Sequence, residues 1–582
     1  MKYRLSLSCA VFLLLTSCSA KQEPQLVRDS KMASPITLAV ATTEPQASAV
    51  ADEIWKAGGT LADVVVATSF AISVVRPQAT GIAGGGFLLY WNAKSKTSEA
   101  WDFREVAPKL TKAMYFINEE GRPDPRITQT GAKAVAVPGL VAGLWRFHRT
   151  HGKLPWGRLL EPAIRIAELG TTVSEHMAKA LREDRERLIA DPEMTKIFYP
   201  AGQPLQEGDI LLQPELGATL RAIAKNGKNE FYELGFAQKL TKWMKQQKGL
   251  IQASDLKTYE VKRRKALRGT YRNFEILSFP PPSSGGIHLL QLLEMVERVD
   301  PKKWGETELY AHRDSAGRSL QQVAIDIEAF KRAYADRAKH LGDPDFYPVP
   351  IQALLKKEYL AKRAREIESN QKIPAEQVLP WSKEYDGKKQ TTHMSFLDAD
   401  GNAVATTQTI NGIFGAGVVL PGTGVVLNNE MDDFSIAPGV ANLYGLVGSK
   451  ANQLEPSKRP LSSMTPTIVL DRPTQKTRLV AGSRGGSRII TQVYEVVSQI
   501  LRDGVSPEAA VAACRYHHQW SPDEVFIEPG CEDDFEPLGN RYKLSSKGGF
   551  GEVEVVGRLL GSDDLFSTTD PRGRGIPMLT HR

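Results

Sequence analysis

The stretch that most constrains this chain is residues 391–411, in which two runs of alternating side chains flank a short polar loop, residues 398–402. The loop sequence Asp-Ala-Asp-Gly-Asn combines residue types that favour tight turns, so the stretch is predicted to form a β-hairpin. A hairpin centred on Asp400 places Thr391 opposite Thr409, and the Cβ atoms of opposed residues are about 4.5–5.5 Å apart. The two hydroxyl groups would then lie within hydrogen-bonding reach, unless a bulge or a two-residue slip changes the register.

A threonine-rich hairpin is by itself an ordinary structural element, because threonine is common in strands. Three motifs that follow it change this interpretation: LNNEMDDFS at residues 427–435, RPLSS at residues 459–463 and GSRGGSR at residues 482–488. Together with the hairpin, this ordered set closely resembles the small subunit of the γ-glutamyltransferases, which are threonine members of the N-terminal nucleophile hydrolases. Several motifs in one order are more specific than any single motif.

The resemblance implies an α/β fold, the αββα four-layer sandwich of the N-terminal nucleophile hydrolases, assembled as a heterodimer from one precursor. Residues 19–390 would form the large subunit and residues 391–582 the small catalytic subunit. The polar segment 374–390 is predicted to be a flexible linker that presents the Gln390–Thr391 bond for cleavage.

Hydrophobic patterning predicts several further elements. A capping box opens a helix over residues 60–75, and other helices are predicted over residues 326–340 and 489–502. One strand is predicted over residues 271–279. The sequence YADR, residues 334–337, also resembles the family's large subunit, and a role in the fold rather than in the chemistry is expected for it.

The N-terminus carries a secretion signal, in which basic residues precede an apolar stretch, residues 5–15, too short to span a bilayer as a helix. The sequence Leu-Thr-Ser-Cys, ending at Cys18, resembles a bacterial lipobox, in which the cysteine becomes the lipidated first residue. Residues 1–18 are therefore predicted to be a signal peptide, with ordinary cleavage near Ala20 as the alternative. The mature protein is expected in the bacterial periplasm, either soluble or tethered to a membrane.

The composition of the 582-residue chain is that of an ordinary soluble protein, with 41% hydrophobic and 24% charged residues and a net charge of +7. It contains no long basic run, so nucleic acid is not an expected partner. Once the signal peptide is processed, Cys514 and Cys531 remain, and in an oxidising compartment they either form a disulfide or stay reduced. No CxxC spacing occurs and His517 directly precedes His518, so no metal site is predicted.

A threonine hydroxyl becomes nucleophilic when a base takes its proton, and a chain-terminal amine with a pKa of about 7.7–8.0 suits that task. Thr391 acquires such an amine only if the bond to Gln390 is cut, so we predict autoproteolysis by attack of its hydroxyl on the Gln390 carbonyl. Cleavage by a trypsin-like protease at Lys388-Lys389 is the alternative, and it would leave extra residues ahead of Thr391. His393 shares the strand face but lies about 6–7 Å away by strand rise, so a structural role is expected for it.

The resemblance assigns further roles near the nucleophile. Thr409 would orient or help to activate the nucleophilic hydroxyl. Gly485 and Gly486 match the family's oxyanion-hole pair, in which backbone amides stabilise a developing negative charge. Tyr444 lies in an irregular loop, residues 436–449, of the length that often forms a lid.

A γ-glutamyl group carries an ammonium and a carboxylate on one carbon, so recognition needs acceptors on one side and donors on the other. By resemblance, the ammonium contacts are Asn411, Glu430 and Asp433. The carboxylate contacts are Arg104, Ser462 and Ser463. A guanidinium suits this role because its planar fork donates two parallel hydrogen bonds to a carboxylate.

These expectations describe an autoprocessed γ-glutamyltransferase that cleaves glutathione and related compounds through a γ-glutamyl ester on Thr391. The acyl group would pass to amino acids, peptides or water, without a metal or cofactor. Arg484 departs from the family pattern and would add a cation beside the oxyanion hole. Two alternatives stay open: a cephalosporin or glutaryl acylase of the same superfamily, and an inactive, surface-tethered binding protein.

Overall fold

A computed structural model describes residues 36–120, 123–304, 307–368, 391–437, 442–446, 448–559 and 561–582. The predicted signal peptide with Cys18, the linker 374–390 and the residue before the nucleophile, Gln390, lie outside the described residues.

The strands in chain order are β1 Leu38–Thr42, β2 Gly85–Asn92, β3 Thr97–Asp102, β4 Thr171–Thr172, β5 Ile210–Leu211, β6 Lys262–Arg264, β7 Leu267–Tyr271, β8 Phe274–Ser278, β9 Thr392–Asp398, β10 Ala403–Thr409, β11 Val419–Leu420, β12 Val425–Val426, β13 Thr467–Asp471, β14 Thr477–Ser483, β15 Tyr516–His517, β16 Val525–Ile527, β17 Leu544–Ser546, β18 Val553–Arg558, β19 Leu565–Thr568 and β20 Met578–Thr580.

The α-helices are α1 Pro45–Lys56, α2 Leu61–Val75, α3 Pro125–Gln129, α4 Leu140–His151, α5 Trp156–Leu169, α6 Glu175–Glu183, α7 Arg185–Leu188, α8 Pro192–Phe198, α9 Pro214–Asn226, α10 Lys228–Tyr232, α11 Gly235–Gln246, α12 Ala253–Lys257, α13 Gly285–Arg298, α14 Thr307–Ala311, α15 Leu320–His340, α16 Ile351–Leu354, α17 Lys357–Glu368, α18 Ile489–Arg502, α19 Pro507–Ala512 and α20 Glu532–Phe535.

Two antiparallel sheets face each other at the centre of the fold. The seven-stranded sheet has the order β20-β1-β9-β10-β2-β3-β6, and the six-stranded sheet has the order β19-β18-β14-β13-β8-β7. Strand β9 of the first sheet packs against β14 and β18 of the second. The hairpin that the sequence singles out therefore lies in the middle of the protein.

Strict alternation along the strands divides the core into layers. In β1, Leu38 and Val40 point towards helices that include α1, α2, α4, α5 and α9, whereas Ala39 and Ala41 point towards the other sheet. Small residues on the inner face let two sheets approach closely, and larger ones fill the space beneath helices. Helices α13, α15 and α18 cover the outer face of the six-stranded sheet. The predicted αββα sandwich is confirmed.

Segments on both sides of residue 391 contribute strands to each sheet. In the larger sheet, β9 and β10 lie between β1 and β2, and in the smaller sheet β13 pairs with β8. Residues from Ile36 onwards form a single compact unit. Among the described residues, no helix is both long and apolar enough to cross a membrane.

Two predicted elements differ from the structure. Residues 271–279 do not form one strand, because the chain reverses at Arg272, which has a positive φ of 51°, and β7 pairs with β8. The helix predicted over residues 326–340 begins at Leu320, where the Ser319 hydroxyl caps it by accepting the Gln322 N–H at 3.2 Å.

Other local predictions are confirmed. The helix over residues 489–502 is α18, and Thr60 with Asp63 forms the capping box of α2. For the two cysteines the sequence left both states open, and in the structure Cys514 and Cys531 form a disulfide. The adjacent histidines make structural hydrogen bonds: the His517 ring bonds to the Thr491 hydroxyl at 2.9 Å, and the His518 ring bonds to the Asp523 carboxylate at 3.1 Å.

Candidate active site

The central hairpin has the register that its sequence predicts. The opposed pairs are Leu397 with Ala403, Ser395 with Ala405, and His393 with Thr407. The Asp398 carboxylate closes the loop by accepting the Asn402 N–H at 2.8 Å, and Gly401 supplies the positive φ of 91° that the turn requires. Local turn chemistry therefore sets which side chains of the two strands face each other.

Thr391 and Thr409 meet at the open end of this hairpin. Their hydroxyl oxygens are 3.4 Å apart, and both side chains are buried. The Thr409 oxygen also accepts the backbone N–H of Asn411 at 2.8 Å. Because that bond occupies a lone pair of Thr409, the hydroxyl hydrogen can be directed towards Thr391.

His393 does not act on this pair of hydroxyls. Its two ring nitrogens bond to Thr407 at 2.8 Å and to Ser395 at 3.1 Å, and its side chain is fully buried. Burial lowers the pKa of His393 to about 3, so the ring is neutral at any physiological pH. The geometry fits the structural role expected for it.

A small cavity opens beside the Thr391 hydroxyl. The predicted site residues that line it are Arg104, Thr391, Thr409, Asn411, Glu430, Asp433, Tyr444, Ser462, Ser463 and Gly486. The cavity has a volume of about 20 Å³, and a single water molecule needs roughly 10–15 Å³ on this measure. A substrate head group therefore enters only if the surrounding side chains move apart.

The Arg104 guanidinium is surrounded by acids rather than facing an open space. It forms ion pairs with Glu430 and with Asp433, the latter at 2.5 Å, and Glu105 lies 3.6 Å away. Its Nε also donates to the Pro460 carbonyl at 3.3 Å. Arg104 thus lies against the residues predicted to bind an ammonium.

Three buried carboxylates surround this one guanidinium, so one positive charge faces up to three negative charges. The pKa values of all three acids are raised. Burial raises the pKa of Glu105 to about 7, although Arg104 acts to lower it. Burial also raises the pKa of Glu430 well above its ordinary value and that of Asp433 above its own, with Arg104 again opposing the change. A ligand that brings a positive charge would therefore favour the ionised form of these acids.

Asn411 adds a neutral acceptor to the acidic side of the cavity. Its backbone adopts a left-handed conformation with φ of 70°, and its Nδ2 donates to the Asn429 carbonyl at 3.0 Å. Among the described residues, Asn411 Oδ1 accepts no hydrogen bond, whereas Glu430 Oε1 faces the Arg104 guanidinium. Buried acceptors without donors are uncommon in native structures, so this side of the cavity is suited to a ligand rich in N–H groups.

Ser462 and Ser463 line another part of the cavity. The Ser462 hydroxyl accepts the Met464 N–H at 3.1 Å, and the Ser463 hydroxyl accepts from the Arg337 guanidinium at 3.2 Å. Because each oxygen accepts from a group that can only donate, each hydroxyl can direct its own hydrogen elsewhere. This side of the cavity is therefore suited to an anion.

Gly485 and Gly486 form the turn that leads into α18. Both have positive φ, 123° and 57°. A Cβ at Gly486 would lie 2.4 Å from the ring of Tyr444, so no larger residue fits there. The Tyr444 hydroxyl donates to the Asn411 carbonyl at 2.8 Å, which holds the ring across the cavity.

Arg484 directly precedes the glycine pair and has a buried acid as its partner. Its guanidinium does not line the cavity; it is buried in an ion pair with Glu552, whose Oε1 accepts from Nη2 at 2.7 Å. Glycine at position 551 permits this arrangement, because a Cβ there would overlap the Arg484 backbone. The Arg484 cation is thus paired with a buried acid.

Sequence reasoning missed five residues that line the cavity: Arg337, Leu446, Leu461, Met464 and Ile489. The apolar members carry no chemical signal in a sequence. Arg337 does lie in the YADR motif, but nothing local indicates that this helix reaches the cavity.

Comparisons with known proteins agree with this geometry. The sequence profile described as Gamma-glutamyltranspeptidase matches residues 47–580. A glutathione hydrolase proenzyme of Escherichia coli (strain K12) is 40% identical over 537 residues, which are 92% of this chain and 90% of that protein.

Solved structures show the same fold. A cephalosporin acylase from Bacillus halodurans superposes with a TM-score of 0.78 at 25% identity, covering 97% of this chain and 99% of that one. A γ-glutamyltranspeptidase chain from Helicobacter pylori gives a TM-score of 0.53 at 35% identity and covers 61% of this chain and 97% of its own. With a sequence match across both sheets and the buried threonine pair between them, this chain belongs to the γ-glutamyltranspeptidase family.

Proposed function

We propose that this chain is an autoprocessed γ-glutamyltransferase that cleaves γ-glutamyl bonds of glutathione and related compounds. The observation that carries the proposal is the pair of hydroxyls of Thr391 and Thr409, 3.4 Å apart, beside a cavity lined by both acids and serine hydroxyls. The names of the relatives, which include glutathione hydrolase proenzymes, support it.

Maturation would be the first reaction. The Thr391 hydroxyl attacks the Gln390 carbonyl, the C–N bond breaks, and the hydroxyl proton passes to the nitrogen, which becomes a free amine while an ester forms. Water then hydrolyses the ester, which releases a carboxylate on Gln390 and restores the Thr391 hydroxyl. The products would be a large subunit, residues 19–390, and a small subunit, residues 391–582.

Acyl transfer would follow at the same oxygen. The terminal amine of Thr391 takes the hydroxyl proton as the oxygen attacks the γ-carbonyl of the donor, and then delivers that proton to the leaving amine. For glutathione the leaving amine is cysteinylglycine, and a γ-glutamyl ester stays on Thr391. Water, an amino acid or a peptide then attacks the ester, giving hydrolysis or transpeptidation. Thr409 would hold the attacking hydroxyl in line.

The negative charge that develops on the carbonyl oxygen needs donors that are already in place. We assign this role to the backbone amides of Gly485 and Gly486. The support is their position in the turn that opens α18, together with the lack of a side chain at Gly486. Tyr444, whose ring covers that turn, would act as the lid that opens for the donor.

Donor recognition would divide the cavity in two. Glu430, Asp433 and Asn411 would bind the ammonium, and the serine side would bind the carboxylate, with Ser462 and Ser463 donating. Arg104 would leave its present acid partners when a donor arrives, because the ammonium replaces it there. Its guanidinium would then be available to the donor carboxylate.

We further propose that the protein works outside the cytoplasm. The support is the secretion signal in residues 1–18 and the disulfide between Cys514 and Cys531. Cys18 would carry a lipid anchor if the lipobox is used.

One experiment tests the central proposal. The purified protein is analysed by intact mass and N-terminal sequencing, and its rates are compared on γ-glutamyl-p-nitroanilide and glutaryl-p-nitroanilide, which differ only in the ammonium. We expect two chains, the smaller beginning at Thr391, and a strong preference for the γ-glutamyl donor. Preference for glutaryl anilide would identify an acylase instead, and a single uncut chain without an acyl-enzyme would identify a binding protein.

A further inference from the structure

Arg337 is a buried cation on the wall of the cavity. It lies in the last turn of α15 and is 5% exposed. Burial lowers the pKa of Arg337 to about 10, so the side chain stays charged at neutral pH. It belongs to the YADR motif, which by sequence alone suggests only helix packing.

The contacts of Arg337 differ in kind from those of Arg104. Its Nη2 donates to the Ser463 hydroxyl at 3.2 Å and its Nε to the Ser284 hydroxyl at 3.1 Å. Within the part of the chain that the structure describes, no carboxylate lies within ion-pair distance of Arg337, whereas Arg104 has three such partners. The charge of Asp433 acts on Arg337 only from beyond ion-pair distance. A buried charge without a close partner is costly, so an anion bound in the cavity would be favoured.

Arg337 also holds the serine pair in place. The Ser284 hydroxyl, which accepts from Arg337, donates to the Ser462 carbonyl at 2.8 Å. The guanidinium is therefore connected to Ser463 directly and to the backbone of Ser462 through one hydroxyl. Since a guanidinium has no acceptor, Ser463 must accept from it and can give its own hydrogen to the cavity.

We propose that Arg337 is a positioning and specificity-determining residue for the α-carboxylate of the donor. It orients the Ser463 hydroxyl as a donor and adds its own positive charge to the one that Arg104 would bring to the carboxylate. This inference rests on the proposed γ-glutamyl activity and deepens it.

The test compares two donors that share the ammonium. γ-Glutamyl-p-nitroanilide carries the α-carboxylate, and 4-aminobutanoyl-p-nitroanilide lacks it. For Arg337→Met we expect kcat/KM on the γ-glutamyl donor to fall about 30-fold, mainly through KM, because a hydrogen bond to a charged group is lost together with the charge. On the aminobutanoyl donor the change should stay within about 3-fold, the limit set by small structural effects.

Two further variants separate positioning from packing. Arg337→Lys keeps the positive charge but loses the planar guanidinium with its fixed set of N–H donors. It should therefore restore part of the discrimination between the donors that Arg337→Met loses. Lys331→Met removes another buried cation of α15, one that pairs with Asp523 at 3.1 Å, and should leave the discrimination unchanged.

An equal loss on both donors, or no loss on either, would overturn the inference. If Arg337→Met does not mature into two chains, Ser284→Ala is tested instead. It removes the hydroxyl that accepts from Arg337 Nε and changes no residue that lines the cavity. We expect it to reduce the discrimination between the two donors. An unchanged ratio in Ser284→Ala would then overturn the inference. A failure of the proposed function looks different: the unaltered enzyme itself would prefer glutaryl anilide.

Discussion

The hydroxyl oxygens of Thr391 and Thr409 lie 3.4 Å apart across the open end of the hairpin formed by β9 and β10. The two residues are 18 positions apart in the chain, and their approach follows from a register that a single polar loop sets. Any shift of that register by one residue would turn one hydroxyl to the opposite face of the sheet.

Replacement of Thr391 by alanine should leave the precursor as one chain, because the attacking oxygen is removed. Electrophoresis and intact mass of the purified protein measure this. Thr392→Ala is the matched control: Thr392 bonds to the Thr43 hydroxyl at 3.0 Å on the other face of β9, so its loss should not prevent processing. Two chains of normal size from Thr391→Ala would exclude self-cleavage.

Replacement of Thr409 by alanine should lower kcat by about 100-fold with little change in KM, since a group that orients the nucleophile acts mainly in the transition state. Thr409→Ser keeps the hydroxyl and should retain most of the activity. Thr406→Ala, on the same strand, removes a hydroxyl that bonds to the Phe87 carbonyl at 3.1 Å and serves as control. Equal losses from Thr406→Ala and Thr409→Ala would show that the effect is one of strand packing.

Glu430→Gln keeps the shape of the side chain but removes its charge. We expect KM for γ-glutamyl-p-nitroanilide to rise about 10-fold, in line with the larger worth of hydrogen bonds between charged groups. Turnover of the glutaryl compound, which lacks the ammonium, should not worsen. Glu495→Gln, an equally buried carboxylate on α18 that does not line the cavity, is the control. A similar KM change for both donors would argue against an ammonium contact.

The free energy of unfolding should depend on pH because of the buried acids around Arg104, among them Glu105. Burial raises the pKa of Glu105 to about 7 from a usual 4.5, so in this interval the native state keeps a proton that the unfolded chain has lost. The free energy of unfolding therefore falls as pH rises through that interval. Glu105→Gln cannot ionise, so its melting temperature relative to the unaltered protein should be higher at pH 8 than at pH 5. A relative change of the opposite sign would contradict the assignment.

The sequence predicted some elements well and others poorly, for physical reasons that differ by element. The hairpin register followed from a two-residue side-chain period and a loop of turn-forming residues, which are both local properties. The reversal at Arg272 was missed because the Arg-Asn turn between β7 and β8 lacks the glycine that usually marks a two-residue hairpin. The true start of α15 was missed because an N-cap at Ser319 precedes the first strongly periodic residues.

The sequence by itself determined the candidate nucleophile, the hairpin that carries it and the motifs of the family, because these features depend on neighbours along the chain. Only the tertiary structure decided which cation faces which group. Arg104, Arg337 and Glu430 come from segments more than 90 residues apart, and their pairing depends on where two sheets and α15 bring them together. Partner choice among buried charges is a property of packing and desolvation, which no local pattern encodes.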